Sequence, residues 1–177
     1  MNRTIKTAFC ALMAALASVF MLTSYFPYLT YAIPALAGLF IMVAFIETDI
    51  KWAAVTYIAS SVLIFFVAEP EAKLLYIMFF GYYPIIKALF ERVRNRVFEY
   101  LFKFSALNVA LFLSYGVVAV IMDISLSDAG NFGKYTAAVL AISANVVFVI
   151  YDIAVSKIAQ FYLVRIQPAV RKILKIK

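Results

Sequence analysis

Six apolar runs, punctuated by cations that fall almost entirely on one side of the series, constrain this chain more than any other feature. A membrane-spanning helix needs about 20 mostly apolar residues, within a range of roughly 17 to 25. On that scale the runs are 4–23, 28–46, 51–68, 72–89, 98–122 and 135–163. The cuts fall at Glu69-Pro70-Glu71, at the charged stretch from Glu91 to Arg96, and at a polar loop from Asp123 to Lys134 that carries Gly130 and Gly133. With runs crossing in alternation, all of the 16 Lys and Arg residues except Lys73 and Lys134 share one side. The positive-inside bias assigns that side, and with it both termini, to the cytoplasm. The expected fold class is an all-α integral membrane protein, one compact bundle of six transmembrane helices over residues 1–177. The first run reads as a retained helix and not a cleaved signal, because a second apolar run follows it.

Composition excludes several function classes. With 67% hydrophobic and 14% charged residues and a mean hydropathy of +1.00, the chain cannot furnish a water-soluble surface. The net charge of +7 sits at the ends of apolar runs, where it serves topology and contact with anionic lipid headgroups and gives no case for nucleic acid. The one cysteine, Cys10, lies in the first run, so neither a disulfide nor a thiolate metal cluster can form within the chain. Histidine is absent, which removes the commonest general base and metal ligand. Glu69 and Glu71 flank one proline and offer too few oxygens for a cation site. No catalytic residue, metal or cofactor is expected.

The candidate sites lie within the bundle. Ala11, Ala14, Ala15 and Ser18 recur at helical spacing, and small residues let a second helix approach closely in lipid. That partner is either another helix of this chain or a separate protein. The uncharged connection from Thr23 to Tyr31, with Tyr25 and Tyr28, is either an aromatic belt at headgroup depth or a loop capping a ligand pocket. Pro84, in Gly81-Tyr82-Tyr83-Pro84, removes a backbone donor and crowds the carbonyl of Phe80, so a break is expected in the fourth run. Broken backbone at membrane depth is tolerated in protein interiors or along cavities, which makes Tyr76, Tyr82 and Tyr83 pocket candidates beside a purely structural kink. Lys87 and Asp152 lie roughly 22 and 25 Å from the outer starts of their helices at ~1.5 Å per residue, and an ion pair between them offsets their desolvation. A role for Asp152 in ion or proton coupling is the alternative. Asn145, Asn108 and Ser114 can orient a ligand or join helices.

At the level of size, six helices, termini and the first-helix stretch from Thr7 to Ala17, the chain resembles the substrate-binding S component of energy-coupling factor (ECF) type transporters. The resemblance covers the whole length and includes an outer loop leading into Pro34. It implies a helix-one face matching Ala11 to Ala15 that docks on a coupling transmembrane subunit. It also implies ATPase subunits elsewhere in the complex and an outward pocket, closed by the loop between helices one and two, for a vitamin or other micronutrient. The pocket positions carried over are Tyr25, Tyr28, Tyr76, Tyr115 and Asn145, and the scarcity of charge in the outer half predicts a largely uncharged or aromatic ligand. The expected location is the plasma membrane of a bacterium. The rival is a scaffold or assembly protein of the cell envelope, similar in size to the rod-shape-determining membrane protein D family, whose outer half should be filled by side chains. A membrane enzyme would need paired carboxylates, a metal motif or a Ser/His or Ser/Lys dyad, none of which the sequence offers. A lone proton-driven carrier has only Asp152 at depth.

Overall fold

Apolar segments this long can satisfy their backbone N–H and C=O groups away from water only by closing hydrogen bonds internally, in helices or closed barrels. The computed structural model takes the helical solution. It describes residues 2–26, 28–91, 96–122 and 130–173, and within them all side chains except those of residues 96, 115–122, 130–138, 140 and 173; no β-strand occurs among the described residues. Helix α1 spans Arg3–Met21 and runs into a short 3-10 turn, Leu22–Tyr25. Helices α2 and α3 are Ala32–Glu47 and Ile50–Val67. The fourth run divides into α4, Pro70–Leu75, a π-helical turn, Tyr76–Phe80, and α5, Tyr83–Phe90. Helix α6 is Arg96–Met122 and α7 is Gly130–Phe161; a second π-helical turn, Tyr162–Ile166, leads into α8, Gln167–Ile173.

Five of these segments are long and apolar enough to cross a membrane: Arg3–Tyr25, Ile50–Val67, Pro70–Phe90, Val97–Ser114 and Ala141–Lys172. The sixth apolar helix, α2, has 16 residues and a length of roughly 24 Å at 1.5 Å per residue, short of a ~30 Å hydrocarbon layer. It starts at Ala32 and not at the expected residue 28 because the preceding connection is a turn. Tyr28 there adopts a positive φ of 71°, which a helix cannot accommodate. The last helix begins at Gly130, inside the stretch expected to be a loop, while 123–129 lie outside the described residues.

Helix α2 is apolar on all sides and sits centrally, against α1, α3, α5, α7 and the π turn. One core joins α1 to α4 around Met21, Ile41, Ala53, Ile64 and Tyr76. A second joins the π turn and α5 to α6 and α7 through Phe79, Tyr83, Leu107, Ala110 and Phe148. Gly38 of α2 lies where the carbonyl of Phe80 passes, so close that a Cβ would collide with that backbone. At the end of the bundle where α1 begins, Lys6 pairs with Asp49. The buried carboxylate of Glu47 accepts a hydrogen bond from the Tyr162 hydroxyl at 3.1 Å and lies 3.8 Å from Arg171 of α8.

Candidate ligand cavity and buried ion cluster

The break in the fourth run shapes both candidate sites. A π turn shifts one turn of hydrogen bonds to i→i+5, here the Gly81 N–H to the Tyr76 carbonyl at 2.8 Å, and such turns occur frequently at functional sites. Tyr57 of α3 donates to the Ile77 carbonyl at 2.6 Å and lays its ring against Gly81, holding the break from the side. Within the π turn, Phe79 and Phe80 face α6 and α7. Below it, Tyr83 and Lys87 face Asp152.

The upper site is a cavity of about 330 Å³ between the π turn, α6 and α7, with Tyr31 of the first connection at its edge. It opens off the second core, and its wall combines Phe79, Phe80, Phe148 and Tyr151 with the aliphatic Leu107 and Leu111. The rings meet edge to face: Phe79 and Phe148 at 5.6 Å, Phe80 and Tyr151 at 4.9 Å. Ser114 and Ser143 contribute hydroxyls, and no charged residue lines it among the described residues. This size falls within the ordinary range for small-molecule sites. Tyr31 donates to Glu71 Oε2 at 3.1 Å, joining the first connection to the start of α4. That hydrogen bond, then the repulsion of a second negative charge beside Glu71, raises the Tyr31 pKa above the ordinary phenol value.

The lower site is a buried ion cluster built by three helices. Lys87 of α5 pairs with Asp152 of α7 and with Glu91 at 2.9 Å, and it also donates to the Asp152 main-chain carbonyl at 3.1 Å. Lys103 of α6 pairs with the second Asp152 oxygen at 3.2 Å, with Glu99 at 2.7 Å and with Glu91 at 3.3 Å. The Tyr83 hydroxyl donates to the oxygen that Lys87 holds. The side chains of Lys87, Lys103 and Asp152 are 5%, 2% and 11% exposed. Two ammonium groups thus face three carboxylates, and both Asp152 oxygens are bonded. Such an arrangement holds helices in register, since loss of the Asp152 charge would leave the buried Lys87 and Lys103 with only Glu99 and the half-exposed Glu91. The cluster borders a second, more polar cavity of about 820 Å³ with Ser156, Lys157 and Gln160 on its wall.

The residues singled out in the sequence distribute unevenly over these sites. Lys87 and Asp152 are in contact. Tyr76 is fully buried in the first core and shares a hydrogen bond with Ser60 at 2.8 Å. Tyr25 donates to the Val67 carbonyl at 3.2 Å, and Tyr28 is 96% exposed; neither lines the upper cavity. Asn145 exchanges amide hydrogen bonds with Asn108 at 3.2 and 3.3 Å, linking α7 to α6 beside the cavity. The side chain of Tyr115 lies outside the described residues. In α1, Ala14 and Ser18 are buried while Ala11 and Ala15 are exposed, so the small-residue stripe straddles the edge of the bundle. Sequence reasoning missed Lys103, whose spacing of four from Glu99 was the available signal, and it missed Phe79 and Phe148 in the cavity wall; of the connection expected as a belt or capping loop, Tyr31 lines the cavity. No family model, characterised protein or solved structure matches the chain.

Proposed function

We propose that this protein is the membrane-embedded substrate-binding subunit of an ECF-type importer, capturing a small vitamin-like or other micronutrient for ATP-driven uptake by partner subunits. In this reading all six apolar segments, α2 included, cross the plasma membrane of a bacterium with both termini in the cytoplasm. The chain carries no catalysis of its own. ATP is hydrolysed by ATPase subunits that act through a coupling transmembrane subunit.

The observation that carries the reading is the cavity of about 330 Å³ in the half of the bundle remote from the cationic end, bordered by the connection between the first two helices and by the later ones. A scaffold of the cell envelope has no need for such a void, because unfilled space forfeits packing contacts. The outward Ala11 and Ala15 supply the second support, a face on which the coupling subunit can lie close.

The test is copurification from the native host. Ala11→Leu and Ala15→Leu place bulk on an exposed face and should leave the fold intact while abolishing recovery of the coupling and ATPase subunits. Undiminished recovery of those subunits would remove the docking face, and recovery of only cell-envelope assembly proteins with the unmodified chain would move the reading to the scaffold.

A further inference from the structure

The cavity between the π turn, α6 and α7 restricts the chemistry of what it can hold and the direction from which it is reached. Among the described residues its wall has five aromatic rings and no ion. The nearest charge along α7 is Asp152, the residue after Tyr151, but both of its oxygens are taken by Lys87, Lys103 and Tyr83. A charged ligand would therefore enter without a counter-charge, at a large desolvation penalty. Edge-to-face rings at 4.9 and 5.6 Å offer flat surfaces suited to a planar ring system, and the hydroxyls of Ser114 and Ser143 can serve one or two polar atoms.

The approach follows from which lining residues are exposed. Toward the connection, Tyr31 stands at the edge and is tied to Glu71. On α7, Ser143 and Val147 line the cavity and are also exposed, Val147 by 60%. Both belong to the apolar stretch Ala141–Lys172, so at that depth their exposed sides face hydrocarbon. We infer that the cavity binds an uncharged, largely apolar planar ring compound that reaches it from the hydrocarbon layer, past the exposed side of α7 that carries Ser143 and Val147 and away from the α6 seam closed by Asn108 and Asn145. This inference rests on the binding-subunit reading for its biological setting and narrows the ligand class within it.

The experiment uses the full chain in phosphatidylcholine vesicles and two fluorescent probes sharing one ring system. N-phenyl-1-naphthylamine is neutral; 1-anilinonaphthalene-8-sulfonate adds a single anionic group. The neutral probe should show a saturable component above lipid partitioning, weakened at least tenfold by Ala144→Phe, which fills the cavity. Ser143→Phe should do the same from the exposed rim, where added bulk does not overpack the core. The sulfonate should show no saturable component. Val147→Trp, which narrows the side opening, should slow association of the neutral probe at least threefold. Equal or tighter saturable binding of the sulfonate would overturn the uncharged class. A neutral-probe titration indistinguishable between the unmodified chain and both cavity variants would overturn the site, and an unchanged association rate in Val147→Trp would overturn the route. Each of these failures leaves copurification with coupling subunits untouched, whereas loss of that copurification is failure of the binding-subunit reading itself.

Discussion

Asp152 is the residue on which the lower half of the bundle depends, because it accepts from two ammonium groups and a phenol drawn from two other helices. Asp152→Asn removes the charge and leaves Lys87 and Lys103 facing Glu91 and Glu99 alone. Breaking a buried pair in this way costs about 3–5 kcal/mol. A lowered thermal midpoint in detergent should result, with only partial recovery in Asp152→Asn/Lys87→Met because Lys103 remains; additive losses would argue against the contact. The sequence made Lys87 and Asp152 recognisable, since helix rise alone gives them a common depth. Lys103 was concealed by its place near the cationic end of α6, where it read as one more topology signal. Tyr31 carries the pH prediction. Its folded-state pKa lies above the ordinary value of about 10, so its contribution to stability is complete below that value and is lost as pH rises through the folded pKa. The residue is largely exposed and solvent screens the effect, so the suitable readout is spectroscopic: Glu71→Gln should shift phenolate absorbance to lower pH. An unshifted titration would place Tyr31 away from Glu71.

Among the elements, the divided fourth helix matters most. Pro84 announces a break in the sequence, yet the irregular backbone begins eight residues earlier, at the π turn, because Pro84 itself sits comfortably in the first turn of α5. What the sequence could not convey is the support from elsewhere in the chain: the Tyr57 hydroxyl on the Ile77 carbonyl and Gly38 beneath the Phe80 carbonyl. Tyr57→Phe leaves that carbonyl without its side-chain partner and should cost about 1–3 kcal/mol, measured by thermal unfolding. Gly38→Ala should be more damaging than Gly81→Ala, because its new methyl meets backbone while that at Gly81 meets the Tyr57 ring, which can move. Equal melting temperatures for the two variants would contradict the close approach of α2 to the π turn. Helix α1 teaches a related lesson. Ala11, Ala14, Ala15 and Ser18 share one arc by spacing, but spacing does not say where on that arc the protein ends and the surroundings begin, and the edge runs between Ala14 and Ala15.

For the whole molecule, hydropathy and charge were sufficient to read helices and their order, because lipid admits few other backbone solutions. They were insufficient for the cavity, whose wall of Phe79, Phe148 and Tyr31 comes from three separated segments and carries no motif; aromatic residues in an apolar helix look alike whether they fill a core or line a void. The proposed binding-subunit reading rests on a void at that position and an outward small-residue face on α1, and its central claim is that a small molecule is carried in that void. The most direct measurement is native mass spectrometry of the protein extracted in mild detergent from its own host. A binding subunit should release, on activation, a single uncharged small molecule that is missing from Ala144→Phe, in spectra that also contain coupling and ATPase subunits. A protein that flies empty, with cell-envelope assembly proteins as its only partners, would contradict that claim.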